Sequence, residues 1–102
     1  MNITVQWLAD RAARELVLRI ASTLRQGALR ARFPDGRVRV FGDASREFVA
    51  SIDIHDDAFF RRIVLGGEIG FGEAYVDGLW ESDDIVRLLA LAIESRESVQ
   101  LG

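Results

Sequence analysis

Gly66-Gly67-Glu68-Ile69-Gly70-Phe71-Gly72-Glu73-Ala74-Tyr75-Val76-Asp77-Gly78-Leu79-Trp80-Glu81-Ser82-Asp83-Asp84 holds five of the chain's nine glycines, set among aromatics and carboxylates. A glycine inside a helix or strand costs roughly 0.5–1 kcal/mol relative to alanine. A run of them marks positive φ angles, close backbone approach or a ligand. A phosphate-cradling loop is the first chemistry to test, and the spacing fails it. A dinucleotide fingerprint reads G-x-G-x-x-G after a strand. Here the order is G-G-x-x-G-x-G, after a helical pattern. A Walker loop needs G-K-[ST], and the chain contains no lysine.

The elements on either side follow from this stretch. Upstream, Asp56 is a good N-cap for a helix over 57–65. Phe59, Phe60, Ile63 and Val64 form its apolar face, Arg61 and Arg62 lie opposite, and Gly66 ends it. Within the stretch, 71–76 predicts a short helix stopped by Gly78, then a brief strand at Leu79-Trp80-Glu81. Ser82 is placed to cap a last helix over 83–94, with Asp83 and Asp84 in the first turn, where the helix dipole favours negative charge. Ile85, Leu88, Leu89 and Ala92 would face the core, and 95–102 reads as a fraying tail or the start of a linker.

Further upstream, residues 5–26 predict an amphipathic helix. Leu8, Ala12, Leu16, Ile20 and Leu24 recur every four residues, with Val5, Ala9, Ala13 and Val17 beside them. That stripe suits burial against a sheet, with Arg11, Arg14, Arg19 and Arg25 off it and Gly27 as C-cap. Residues 29–41 predict a hairpin around Pro34-Asp35-Gly36. Leu29, Ala31, Phe33, Val38 and Val40 are expected on one face, and Arg30, Arg32, Arg37 and Arg39 on the other, as an anion-facing surface. Gly42-Asp43 makes a further turn. Phe48, Ala50, Ile52 and Ile54 point a third strand inward, with Asp53 outward and able to pair with a hairpin arginine. The expected fold is α+β, an antiparallel sheet of three to five strands with helices on one face. Its outline is similar to the sterol-carrier-protein-2 fold.

Composition narrows the function. A chain of 102 residues makes one domain, and with 49% apolar residues it can bury a core without staples. It has no cysteine and one histidine, which excludes disulfides and the usual zinc sites. No apolar run approaches the roughly 18 residues of a membrane span, and the N-terminus lacks a signal peptide's apolar stretch. A cytoplasmic protein is the default. Charge is uneven: residues 1–46 carry nine arginines against four acids, net +5, while 47–102 carry net −8. Either the first half meets an anionic partner or the two halves neutralise each other.

The residues Gly67, Ile69, Gly70, Phe71, Gly72, Glu73, Ala74, Tyr75, Val76, Asp77, Gly78, Trp80 and Glu81 together form a longer pattern. It resembles the N-terminal region of cyclopropane-fatty-acyl-phospholipid synthases and related S-adenosylmethionine-dependent methyltransferases. Phe59-Phe60-Arg61-Arg62 before it and Asp84-Ile85-Val86-Arg87-Leu88-Leu89 after it are similar to the family too, as are Phe33-Pro34-Asp35-Gly36 and Phe41-Gly42. Family members continue into a methyltransferase domain that holds the cofactor and the chemistry. The resemblance therefore implies a non-catalytic accessory domain over 1–102 that assists phospholipid presentation, membrane docking or assembly. S-adenosylmethionine would bind the catalytic domain absent from this chain, and no cofactor or metal is expected here. The implied partners are a methyltransferase domain in cis or in trans, an anionic phospholipid surface on the inner face of the membrane, and a second copy. Nucleic acid is not among them. A stand-alone sterol-carrier-like lipid-binding module and a purely structural interaction domain are the alternatives.

Candidate residues fall into three sets. Phe59, Phe60, Phe71, Tyr75, Leu79 and Trp80 could line an acyl groove or an interface. Gly67, Gly70, Gly72, Glu73, Asp77 and Gly78 read as a structural motif, in which the carboxylates accept hydrogen bonds from backbone or arginine. Glu68, Glu73 and Asp77 have no nucleophile, metal-ligand set or cofactor loop to work with, so no catalytic residue is assigned. Arg30, Arg32, Arg37 and Arg39 are the anionic-surface candidates.

Overall fold

Helix α1 (Ile3–Ala21) leads into β1 (Ala28–Arg32), β2 (Val38–Gly42) and β3 (Val49–Ile54). Helix α2 (Ala58–Val76), the short β4 (Trp80–Glu81) and α3 (Ile85–Val99) follow. The computed structural model describes the backbone of residues 3–24, 27–43 and 48–99, with side chains over 8–24, 27–43 and 48–94. Val5, Arg25 and residues 100–102 of the expected tail lie outside those limits for side-chain description. The architecture is α+β. The sheet order is β2-β1-β3-β4, and residues from all three helices join its inner face in one core.

One pairing differs from expectation. β1 and β2 are antiparallel, as are β3 and β4, but β1 and β3 run parallel. The chain leaves β2 and crosses the end of β1, so β3 lands on the far side of β1 rather than beside β2. The crossing is tight. Asp43 N–H donates to the Gly27 carbonyl at 3.1 Å and Ala28 N–H to the Phe48 carbonyl at 2.9 Å. A Cβ on Gly27 would strike the Phe48 carbonyl oxygen, and one on Gly42 would strike the Gly27 carbonyl oxygen. Gly27 thus serves this crossing, and Gly42 also carries a φ of +85°.

The hairpin corrects a second expectation. Its register pairs Leu29 with Phe41, Arg30 with Val40, Ala31 with Arg39 and Arg32 with Val38. The arginines therefore do not share a face. Arg30 and Arg32 stand with Val38 and Val40 on the outer face, while Arg39 stands on the side of Ala31 and Phe41. Loop length is the cause. Phe33 N–H bonds the Arg37 carbonyl at 2.8 Å, so the loop is Pro34-Asp35-Gly36. An odd loop gives partners the same parity along the chain, and side chains alternate with period two. The β3 register completes the inner face, with Ala50 beside Leu29 and Ile52 beside Ala31.

Helix α1 is rotated relative to its expected orientation. Ala13 is buried and Val17, Leu18, Ala21 and Leu24 pack against the core. Leu8, Leu16 and Ile20 are exposed, at 54%, 46% and 50%. The four-residue repeat is thus the outer flank of the helix rather than its seat. Small Ala13 is what the closest approach accepts.

At the helix starts, the Asp56 carboxylate accepts the Ala58 N–H at 2.8 Å, as expected. The α3 cap is Asp84, which accepts the Arg87 N–H at 3.0 Å, in place of Ser82. Ser82 instead donates its hydroxyl to the Ser51 carbonyl at 2.6 Å, tying the helix approach to β3. The helix also runs five residues past the expected end at 94, to Val99.

Two glycines in α2 separate geometry from flexibility. A Cβ at Gly70 would collide with the Arg62 carbonyl, whereas one at Gly72 meets nothing within 4 Å. Gly70→Ala is expected to lower stability by about 1–3 kcal/mol through overpacking against backbone. Gly72→Ala should raise it by about 0.5–1 kcal/mol, since alanine loses less chain entropy on folding. Urea denaturation of the two variants checks both signs.

Candidate functional site

The glycine-rich stretch forms the second arm of a bent α2. The bend is at Gly67, whose φ of 57° and ψ of −136° interrupt the helix. That combination lies outside the regions open to residues with a Cβ. Residues 62 and 70 of a straight helix would sit about 12 Å apart along the axis. The bend instead brings Gly70 against the Arg62 backbone, where it is buried. The second arm ends at Gly78 with φ 77°. Leu79 N–H bonds the Ala74 carbonyl at 2.8 Å and Gly78 N–H the Tyr75 carbonyl at 3.0 Å. These two bonds make a Schellman cap, which needs the left-handed residue that glycine supplies.

Arginine and aromatic contacts lock the arms. Arg62 Nη2 donates to Asp77 Oδ2 at 2.6 Å, joining the first arm to the end of the second. Arg61 Nη1 lies 3.3 Å from Asp10 Oδ1 on α1, although that oxygen gains no well-aligned hydrogen bond. Trp80 Nε1 donates to the Phe71 carbonyl at 2.9 Å, and its ring stacks on Phe71 at 4.3 Å. Tyr75 leans on the same indole at 5.0 Å. Phe71 meets Phe59 at 6.2 Å, Phe59 meets Phe60 at 5.2 Å, and Phe60 meets Phe33 at 6.4 Å.

The structure thus brings the six aromatic and leucine candidates together, chiefly against one another. Phe59, Phe60 and Trp80 are buried, Phe71 and Leu79 are half-buried, and Tyr75 is exposed. Of the motif residues, Gly67, Gly70 and Gly78 have the backbone roles just described, and Asp77 has its arginine. Gly72 and Glu73 are exposed. Of the arginine set, Arg37 lies 3.6 Å from Asp35 in the hairpin loop.

What the sequence reading missed is a groove beside the bend. Ile63, Gly67 and Phe71 of α2 face Leu89, Ala92 and Ile93 of α3 across a cleft of about 510 Å³, with Glu68 at its rim. Leu65 and Ile69 are 80% and 75% exposed on the same helix. The signal lay in the sequence as more apolar positions than one helix face can bury, at 63–65, 69 and 71 on α2 and at 89 and 93 on α3. An apolar cleft of this size can take a hydrophobic side-chain cluster or a lipid tail. It offers no reactive group. Among the described residues no group of three or more His, Asp or Glu could hold a metal, and no helix is long and apolar enough to cross a membrane.

Comparison with known proteins finds one local likeness. Over 34 residues the chain is 44% identical to the cyclopropane-fatty-acyl-phospholipid synthase of Escherichia coli strain K12, and to that of Escherichia coli O6:H1 by the same figures. The matched stretch is 33% of this chain and 9% of either enzyme. The likeness supports a relation to that enzyme family over a third of the chain and extends no further. No protein-family model matches the sequence, and no solved structure matches it.

Two bonds that hold the bent helix should differ in weight. Trp80→Phe removes the indole donor and leaves the Phe71 carbonyl without it, at an expected cost of about 1–3 kcal/mol. Asp77→Ala breaks an ion pair whose partners are 40% and 50% exposed, at a cost of about 0–1 kcal/mol. Thermal melts of both variants test the order, and an equal loss would contradict it.

Proposed function

We propose that this chain is a non-catalytic accessory module for a methyltransferase of the cyclopropane-fatty-acyl-phospholipid synthase kind. It works with a catalytic domain supplied in cis or in trans. The cleft between α2 and α3 is the observation that carries this reading. The glycine-rich motif builds the bend at Gly67, and beside the bend lies an apolar cleft that the described residues leave uncovered. Gly67, Gly70, Gly78 and Asp77 serve architecture, and in this reading the reaction belongs to the partner domain, where S-adenosylmethionine would bind. Covering Leu89 and Ile93, which line the cleft and are 41% and 58% exposed, would remove exposed apolar surface from water, the main source of favourable association energy.

A second reading, a lipid-binding module, rests on the same cleft. There an acyl chain would lie along Phe71 and Ile93. The clustered aromatics lend it less support than the sequence promised, because they fill space between α2 and the sheet.

Coexpression with the methyltransferase domain of a cyclopropane-fatty-acyl-phospholipid synthase tests the first reading. Size-exclusion chromatography with light scattering should show a complex. Ile93→Arg should weaken it about tenfold or more while leaving the circular dichroism unchanged. A catalytic domain that stays separate from the chain would overturn the proposal. Displacement of a fluorescent fatty acid from the cleft without any such complex would favour the second reading.

A further inference from the structure

Strand β2 closes one end of the sheet, with no strand beyond it among the described residues. Its inner bonds are fixed at both ends, by Phe33 N–H to the Arg37 carbonyl and by Asp43 N–H to the Gly27 carbonyl. Antiparallel ladders alternate bonded and non-bonded pairs. Residues 37, 39, 41 and 43 therefore point their backbone groups at β1. Val38, Val40 and Gly42 point theirs outward, into the open edge. Such an edge is a ready template for another strand.

Arginines crowd this edge on both faces, with Asp35 in the loop, Asp53 beside Arg32, and Asp10, Glu15 and Asp57 in the cleft that Arg39 lines with Arg11 and Arg14. Arg30 and Arg32 rise on the outer face beside Val40 and Val38, which are 51% and 39% exposed. Arg39 lies on the opposite face, with its guanidinium 4.8 Å above the Phe41 ring. Arg37 joins the group, with Asp35 of the loop as its neighbour. Arg30, Arg32 and Arg39 make no ion pair with any described residue, although Asp53 stands next to Arg32 in the β1–β3 register. This cluster sits in a chain of net charge −3.

We propose that the outer edge of β2 binds an extended acidic segment of a partner protein, added to the sheet as a fifth strand. Backbone groups of Val38 and Val40 would supply the ladder. Carboxylates at adjacent positions of the segment, which point to opposite faces, would meet Arg30 and Arg32 on one face and Arg37 and Arg39 on the other. This is strand addition with charge complementarity as the specificity element. The straddling arrangement distinguishes the partner. A bilayer is flat and meets one face of a sheet, whereas a chain lying along the edge meets both. A second copy of β2 fits poorly, because it would bring the two arginine clusters together. The inference is independent of the accessory role proposed above.

Fluorescence anisotropy with a labelled peptide in which Glu-Glu pairs alternate with Thr-Thr pairs, so that each face carries carboxylates, tests it. Binding should weaken as salt is raised. Val40→Pro removes an outward N–H and no bond to β1, a change that edge strands tolerate. It should weaken binding about tenfold, the effect of about 1.4 kcal/mol. Arg30→Gln and Arg39→Gln, on opposite faces, should each weaken it severalfold, and these substitutions leave the backbone untouched should Val40→Pro fail to fold. The same peptide N-methylated at alternate residues, so that it cannot complete a ladder, should not bind. Equal binding of the N-methylated peptide would overturn the proposal. So would flotation with anionic vesicles in the absence of peptide binding, which would make the edge a lipid contact.

Discussion

Trp80 ties β4 to the second arm of α2 through one hydrogen bond and one stacked ring. Its strand is two residues long, too short to be held by its own ladder. What fixes it is the indole, which donates to the Phe71 carbonyl and stacks on the Phe71 ring. From there ring contacts run through Phe59 and Phe60 to Phe33 at the mouth of the hairpin. One aromatic chain therefore links β4, both arms of α2 and the edge hairpin. Phe60, fully buried in its middle, is the side chain that both ends need. The bend at Gly67 is a consequence of this chain. Phe59 and Phe71 meet only because the helix turns between them, and glycine makes that turn accessible.

Much of this was legible in the chain. The hairpin, the third strand, the Asp56 cap, the Gly78 stop and the brief strand at Trp80 follow from local chemistry, and local chemistry decided them. The failures share a different cause. The arginines were assigned to one face because both strands alternate, but alternation within a strand says nothing about the parity between strands. That parity is set by whether the loop has an odd or even number of residues, and Pro34-Asp35-Gly36 fits turns of more than one length. Likewise, period four in α1 identified a helix without saying which flank lies down. Ala13 wins over Leu16 because the approach to the core is close, a property of the partner surface. The parallel β1–β3 pairing depends on Gly27 accepting the crossing chain, a contact between residues distant in sequence. The α2–α3 cleft was missed for the same reason, since it belongs to two helices and to neither alone.

The uneven charge offered two explanations, an anionic partner or mutual neutralisation of the halves. Both find support in the geometry. Arg11, Arg14 and Arg39 of the basic half line one cleft with Asp57 of the acidic half. An ion pair between the halves joins Arg61 to Asp10, a base of the acidic half with an acid of the basic half. Arg62, Arg87 and Arg37 find carboxylates within their own halves. The acidic residues near α3 are likewise occupied locally, with Asp84 capping the helix and Asp83 facing the Ser51 hydroxyl at 3.4 Å. Arg30 and Arg32 of the hairpin are exposed on its outer face.

An exposed arginine cluster at a sheet edge has an ordinary use, since charge on an edge strand discourages pairing with copies of itself. That use and recognition of an acidic segment are not rivals. The same repulsion that rejects a second β2 becomes attraction when the incoming strand is acidic, so one set of side chains can supply both the barrier and the selection. For protection alone, a single charge that interrupts the edge would be enough. Here arginines occupy both faces and two adjacent strands, while Val38 and Val40 between them keep apolar surface exposed. Protection does not call for exposed valines between the charges. A binding edge does, because Arg30 or Arg32 meeting a carboxylate on a strand beyond β2 would lay its aliphatic stem across Val38 and Val40.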